Sequence, residues 1–380
     1  MRKILYISGT RADYGLMKET LFKIREHPKL DLEIVVTGMH LMPQFGETIR
    51  EIEKDGFKIH KITAIYEKDN KESMANFIGK LIQLLTHRIK KIRPSFILLL
   101  GDRGEMLAGA IVGVYLMIPV AHIHGGDVTS TVDEVTRHAI TKLSHIHFTA
   151  TQKSAERIIK MGEDPWRVFV SGAPGLDSIL NQRLLPKEEI AKRYNLDLSK
   201  PVLLVIQHPV SSEIKYAGNQ MKVTMEAIKD LGYQSIVVYP NADAGGRKMI
   251  SVIKKYEKYS FIQSHKNISH QDYLSLLKVV SVMVGNSSSG IIEAPSFKLP
   301  VVNIGIRQKG RERSTNIIDV THNKNAIKNA IKKAIYDKKF REQVSRCRNP
   351  YGDGHASERI VEVLKNIKID KNLLQKQITY

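Results

Sequence analysis

Apolar residues in this chain fall into two kinds of stretch that alternate along its length. Short, nearly uninterrupted apolar runs occur at Lys3–Ile7, Leu32–Thr37, Phe96–Leu100, Pro119–Ile123, His147–Thr149 and Val168–Ser171. They recur at Val202–Ile206, Ser235–Tyr239, Phe261–Gln263, Val279–Val284 and Pro300–Ile304, with a shorter run at Lys58–Ile62. Phe96–Leu100 and Val202–Ile206 show no polar alternation, as expected of parallel strands covered on both faces. Between the runs lie segments with helical spacing. After the first strand, Leu16, Leu21 and Ile24 turn inward. Helices are expected around Thr48–Asp55, Lys71–Ile92, Lys153–Met161, Tyr273–Leu277, Asn325–Ile335 and Ala356–Lys365. Another begins with the capping pattern Thr131-x-x-Glu134 and should bury Val132, Val135, Ala139 and Leu143. Repetition of strand and helix predicts doubly wound parallel sheets.

The 380 residues suffice for two cores. The segments Pro186–Tyr194 and Leu198–Pro201 read as the crossing between them. The expected fold class is therefore α/β: two Rossmann-like domains with a cleft between their strand ends. The first covers residues 1–172, the second residues 186–360, and residues 361–380 form a terminal helix and tail packing back on the first domain. A single cysteine, Cys347, excludes an internal disulfide and a cysteine-based zinc knot, and suits a reducing cytoplasm. Ile4–Ile7 is too short for a signal peptide, and no run approaches the ~18 apolar residues of a membrane span. Net charge is +20, but the lysines are spread along helical faces and no basic run is interleaved with aromatics. The expectation is no nucleic acid and no membrane, with some of the charge serving a phosphorylated small molecule.

Candidate chemistry gathers at the ends of the apolar runs, where open α/β sheets bind ligands. The third run ends in Gly101-Asp102-Arg103, and the next passes His122 and His124 into Gly125-Gly126-Asp127. Asp133, Arg137 and Thr141 follow at i, i+4 and i+8 on one helical stripe. Strict strand alternation would put His122 and His124 on one side, and with Asp127, Asp133 and His138 they admit a metal-hydrolase reading. Ser8–Gly15 is neither a dinucleotide fingerprint nor a P-loop, so a dinucleotide or kinase-type ATP site is not expected. Arg11 within it suits either a phosphate or a surface ion pair. In the second half His208, ahead of Pro209, is a candidate acid–base group. Asn241 and Asp243 lie in a Gly-rich turn. Gly285-Asn-Ser-Ser-Ser-Gly290 offers hydroxyls and backbone N–H groups to a diphosphate, and Glu293 can accept both hydroxyls of a ribose. Glu293-Ala followed by Pro300-Val-Val is similar to the nucleotide-sugar signature of GT-B glycosyltransferases, and Arg307 and Arg311 suit phosphate.

Together these segments resemble one family, the hydrolysing UDP-N-acetylglucosamine 2-epimerases of the bacterial NeuC type, over nearly the whole chain. The resemblance is carried by Gly9-Thr-Arg-Ala-Asp-Tyr-Gly15, Thr37-Gly-Met-His40, Gly101-Asp-Arg103, His122-Ile-His-Gly-Gly126 and Asp133 through Arg137-His-Ala-Ile-Thr-Lys142. In the second half it rests on Gln207-His-Pro209, Pro240-Asn-Ala-Asp243, Gly285–Gly290 and Arg307-Gln-Lys-Gly-Arg311. It implies a GT-B architecture and conversion of UDP-GlcNAc and water to ManNAc and UDP through 2-acetamidoglucal, feeding sialic-acid-type synthesis. The reaction needs no cofactor and no metal. The resemblance further implies Asp102 and Asp133 as acid–base carboxylates, Arg137 as sugar support, and His208 as a catalytic or diphosphate contact. It gives Arg11, Arg103, Ser287, Ser288, Glu293 and Arg307 to UDP, with Asn241 beside them, and a homodimer or homotetramer. Relatives such as the animal enzyme carry a catalytic Glu where this chain has His124, so that proton transfer falls to His124 or to Asp127, with His124 preferred. The same departure admits UDP- or GDP-linked 2,4-diacetamido-trideoxy sugars, of the legionaminic acid route, as substrates. A glycosyltransferase is the competing enzyme class, although Asp102, Asp133 and His208 would then share no task. A nucleotide-sugar sensor is the non-catalytic alternative.

Overall fold

A computed structural model of the chain describes residues 1–43, 47–65, 71–128, 133–181, 184–210, 212–240 and 245–380. It divides into two units. The first takes Met1–Val128, the chain from Asp133 through Leu180, and Tyr351–Tyr380; the second takes Asn181–Pro350.

The first unit holds seven strands: β1 (Arg2–Ser8), β2 (Leu30–Val36), β3 (Ile59–Lys61), β4 (Phe96–Leu100), β5 (Val120–Ile123), β6 (Ile146–Thr149) and β7 (Val168–Val170). They lie in the order β3-β2-β1-β4-β5-β6-β7, every pair parallel. The second holds β8 (Val202–Ile206), β9 (Gln234–Val238), β10 (Ile262–His265), β11 (Val282–Gly285), β12 (Val301–Ile304) and β13 (Ile317–Val320), in the order β10-β9-β8-β11-β12-β13 and again all parallel. Successive strand residues point to opposite faces, so each central strand feeds two cores. In the first unit Ile4, Tyr6, Phe96 and Leu98 belong to one core, and Leu5, Ile7, Ile97 and Leu99 to the other. That double burial is why these runs are apolar throughout.

Strand order reverses between β1 and β4 in the first unit and between β8 and β11 in the second. At such a switch point the following helices diverge to opposite faces and leave room beyond the strand ends. The Gly101-Asp102-Arg103 and Gln207-His208 segments stand at those places.

Two expected faces are corrected. In the helix Asp133–Leu143, Val135 is 73 % exposed and Ala139 is exposed, whereas Arg137, Ile140 and Thr141 are buried. A buried charge with partners of its own outranks Val135 for the inner position. In the helix Arg11–Glu26, Leu16 is 39 % exposed and Met17 takes the core position with Leu21 and Ile24. Strand β13 lacked a sequence signal because it is an edge strand and only half buried. No helix among the described residues is long and apolar enough to cross a membrane.

The chain returns to the first unit at its end. Asp177 accepts from the backbone N–H groups of Ala356 and Ser357 at 3.0 and 2.5 Å, capping the helix Ala356–Asn366. Thr20 and Ser357 join that helix to Arg11–Glu26 at 2.7 Å. Buried Arg167 donates to the carbonyls of His145, Leu373 and Asn372. Lys376 donates to the carbonyls of Lys142 and Ser144 and pairs with Glu163 at 2.9 Å. Glu163 also takes Lys142 at 2.6 Å and His147 at 3.2 Å. Burial alone would raise the Glu163 carboxyl; its hydrogen bonds with His147, Lys142 and Lys376 outweigh burial and hold it at about 2.

The folded value lies below the ~4.3 of an unfolded glutamate, so this network stabilises the fold fully above about pH 4.5 and loses that contribution as pH falls toward 2. Glu163→Gln should cost roughly 3 kcal/mol at neutral pH. In urea titrations its deficit should narrow below about pH 4. A deficit that stays constant down to pH 3 would overturn the assignment.

Candidate functional site

The first unit builds its site where β1, β4 and β5 end. Behind β1, the Asp13 carboxylate accepts from the N–H groups of Gly9 and Thr10 at 3.0 and 2.7 Å and from the hydroxyls of Thr10, Tyr6 and Ser8. Ser8 continues to His40 at 2.8 Å, and His40 to Thr48 at 2.8 Å. Asp13 thus meets the N–H groups ahead of the helix Arg11–Glu26 and sets the loop's shape. Arg11 forms a half-exposed pair with Glu51 at 3.2 Å. Arg103 pairs with Glu105 at 3.2 Å, and Glu105 is fully buried beneath two glycines. A Cβ at Gly9 would lie 2.6 Å from the Glu105 carboxyl carbon, and Gly38, at φ +59°, crowds the same carboxylate.

Beside it, β5 ends in His122 and His124, which the structure sends different ways. His122 is fully buried. Its Nε2 donates to the carbonyl of Gly101 at 2.7 Å and its Nδ1 meets the Thr141 hydroxyl at 3.2 Å. Burial pulls this imidazole down to about 3, so it is neutral and fastens the end of β5 to the end of β4. His124 has a left-handed backbone, φ +63°, which breaks the alternation that would have put the two rings on one side. Its Nδ1 lies 3.0 Å from Asp127 Oδ2. Among the described residues no group of three metal-ligating side chains assembles. His138 instead pairs with Glu134 at 3.1 Å.

Arg137, 3 % exposed, joins these pieces. Its guanidinium donates to the Asp102 carboxylate and, at 3.0 Å, to the backbone carbonyl of Asp127. Glu134 lies 3.8 Å away on the same helix. Asp133 opens that helix one turn before Arg137; its side chain lies outside the described residues.

The second unit gathers its residues where β8 and β11 end. The side chain of buried Asn286 bonds both backbone groups of His208: Oδ1 accepts from its N–H at 2.7 Å and Nδ2 donates to its carbonyl at 2.9 Å. The Asn286 carbonyl in turn accepts from Arg307 at 3.1 Å and Gln308 at 2.9 Å. Gly285, at φ +132°, brings this turn so close to the Ile206 carbonyl that any Cβ would collide with it. Ser287 and Ser288 lead into the short helix Ser289–Ile292. Glu293 follows, 8 % exposed, and burial raises its carboxyl to about 7 despite a hydrogen bond with Ser289. Tyr273, half-buried, bonds Ser289. Beyond Gln308, Arg313 grips Asp319 at 2.6–2.7 Å and shapes the loop that carries Arg307 and Arg311. Asn241 and Asp243 lie outside the described residues.

Glu105, Ser154, Tyr273 and Arg313 support this geometry and were not singled out in the sequence. Only Glu105 had a local signal, standing two residues beyond Arg103 in the same turn; the others come from distant segments.

Comparison with known proteins sets the chain in a family. A sequence profile described as UDP-N-acetylglucosamine 2-epimerase matches residues 22–365. The chain is 42 % identical to the UDP-N,N'-diacetylbacillosamine 2-epimerase (hydrolyzing) of Legionella pneumophila, over 100 % of both chains. It is 35 % identical to the GDP/UDP-N,N'-diacetylbacillosamine 2-epimerase (hydrolyzing) of Campylobacter jejuni, over 97 % of each. A crystal structure of the UDP-GlcNAc 2-epimerase of Neisseria meningitidis bound to UDP-GlcNAc superposes with a TM-score of 0.82 at 20 % identity, covering 95 % of this chain and 99 % of that one. With both halves of its fold and all but its terminal residues matched, the chain belongs to the UDP-N-acetylglucosamine 2-epimerase family.

Proposed function

We propose that the protein is a hydrolysing 2-epimerase of a UDP-linked 2,4-diacetamido-2,4,6-trideoxyglucose, the sugar also named N,N'-diacetylbacillosamine, releasing UDP and the sugar inverted at C2. The observation that carries the sugar is 42 % identity along the full length to a relative whose name specifies that substrate. The motif resemblance by itself pointed to UDP-GlcNAc, which stands as the second reading. It differs at C4 and C6, away from the bonds that change.

The chemistry asks for three things. A proton must leave C2, where it is weakly acidic. The C2–H electron pair then becomes the C1=C2 bond while the C1–O bond breaks and its pair departs on UDP. Water next adds its oxygen to C1, and C2 receives a proton on the opposite face. Charged groups held in place beforehand do this without reorganising at the moment of reaction. In this reading the first unit works on the sugar. Asp102, oriented by Arg137, and Asp133 are acid–base carboxylates, and His124 carries a proton. The second unit takes the nucleotide: Ser287, Ser288 and Arg307 serve the diphosphate with Arg11 and Arg103, Glu293 the ribose, and His208 the departing phosphate. Asn241 completes the nucleotide contacts.

Incubation with the UDP-linked diacetamido sugar in D₂O, followed by proton NMR, should yield free UDP and a C2-deuterated, C2-inverted free sugar. Turnover of UDP-GlcNAc alone would transfer the assignment to the second reading; release of UDP without deuterium at C2 would overturn both. Asp102→Asn should lower kcat by roughly 10²–10⁴-fold with UDP affinity retained, and unchanged turnover would remove Asp102 from the mechanism.

Glu293 gives a pH test. Its carboxyl ionises at about 7 in the unliganded protein, and a ribose is held by the carboxylate form. Protons therefore compete with nucleotide, and uridine affinity measured calorimetrically should weaken about tenfold from pH 8 to pH 6. Uridine has no phosphate to titrate. Glu293→Gln should flatten this dependence; an equal slope in the variant would reject Glu293 as its source.

A further inference from the structure

His124, at the end of β5, is built into a hydrogen-bonded chain. Thr151 donates to Ser154 at 3.0 Å, Ser154 donates to Asp127 Oδ1 at 2.8 Å, and Asp127 Oδ2 faces His124 Nδ1 at 3.0 Å. Thr151 and Ser154 sit at the start of the helix Gln152–Lys160, where Thr151 also caps the Ser154 N–H at 3.1 Å. The far end of the chain is thereby anchored in regular structure. We propose that Asp127, backed by Ser154, is a positioning residue that holds His124 in the Nδ1–H tautomer, so that its Nε2 lone pair serves as the base removing the C2 proton. This inference rests on the 2-epimerase reading.

Three observations carry it. First, Asp127 is 8 % exposed and both its carboxylate oxygens already have partners, while its own carbonyl accepts from Arg137 at 3.0 Å. It is placed to orient a neighbour. Second, His124 has no hydrogen bond to Nε2 among the described residues, and only 14 % of its side chain is exposed. A carboxylate on Nδ1 makes that nitrogen the protonated one and stabilises the imidazolium formed when Nε2 takes a proton. Third, the backbone is bent to achieve this. His124 adopts φ +63° with two glycines behind it, and a Cβ at Gly126 would collide with the Ser154 carbonyl. Those glycines let the loop approach the helix closely enough for Asp127 to reach Ser154. Backbone held in such a conformation by surrounding contacts is typical of functional loops.

Arg137 comes from the helix Asp133–Leu143 and also binds Asp102, and Arg157 from the helix Gln152–Lys160 donates to the Gly126 carbonyl. His122 on β5 is neutral. Proton and electron accounting closes. Nε2 takes the C2 proton, the C2–H pair forms C1=C2, and the C1–O pair leaves on UDP; water then adds its oxygen to C1 while a protonated carboxyl on the other face gives its proton to C2, the proton released by that water restores the carboxyl, and the imidazolium loses its proton to solvent.

The test is a double-mutant cycle with a spectroscopic partner. Asp127→Asn should lower kcat on the UDP-sugar at least 100-fold with KM within threefold, because an amide no longer selects the Nδ1–H tautomer. In a His124→Gln background the same change should cost less than twofold. A full additional loss there would show that Asp127 acts independently of His124 and would overturn the proposal. Ser154→Ala, the milder variant, should cost about tenfold in the native background and nothing in His124→Gln. Independently of turnover, ¹⁵N–¹H spectra of histidine-labelled protein should show neutral His124 protonated at Nδ1 in the native chain and shifted toward Nε2–H in Asp127→Asn. A native His124 protonated at Nε2 would overturn the inference whatever the substrate. The Nδ1–H form without turnover of either sugar would instead count against the 2-epimerase reading.

Discussion

A guanidinium buried in a protein must be met by a carboxylate and by carbonyls, or it is not buried at all. Arg137 is that constraint here. At 3 % exposure it binds the Asp102 carboxylate beyond β4 and the Asp127 carbonyl beyond β5, while riding on the helix that follows. Three successive segments of the chain are thereby held together at the strand ends. The neutral His122, bonded to the Gly101 carbonyl, repeats the β4–β5 link one layer inward. Asp102, the Gly-Gly loop and Asp133's helix owe their positions to this pair of fastenings.

The two units treat charge differently. In the first, site carboxylates have basic or hydroxyl partners: Asp102 with Arg137, Glu105 with Arg103, and Asp127 with His124 and Ser154. Those partners hold the side chains still. In the second unit Glu293 is buried against Tyr273 and Ser289, and desolvation raises it to about 7. A buried carboxyl near neutrality gains from any hydroxyl donor that reaches it. Asn286 clasps the backbone of His208 and fixes where that residue stands. Much of the net charge of +20 lies on exposed helix faces.

The sequence by itself determined the architecture and the motif positions. A strand covered on both faces has nowhere to put a polar side chain, so Phe96–Leu100 and Val202–Ile206 could be read as buried parallel strands from composition alone. The breaks after such strands, Gly101 in one and Pro209 in the other, place Asp102, Arg103 and His208 at the carboxyl edge of a sheet, and that too is local information. Tertiary structure decided which partner each side chain meets. The inner face of Asp133–Leu143 was misread because Val135 is the more apolar residue, while the choice was made by Asp102 and Asp127, which lie outside the helix and demand Arg137 inside. His122 and His124 parted because one backbone torsion reversed the alternation. The bond from Ser154 to the Asp127 carboxylate, 27 positions apart, has no local signal in the sequence. Periodicity reports how much water a position sees, whereas hydrogen-bond partners are set by atoms that only the folded chain brings within 3 Å of one another.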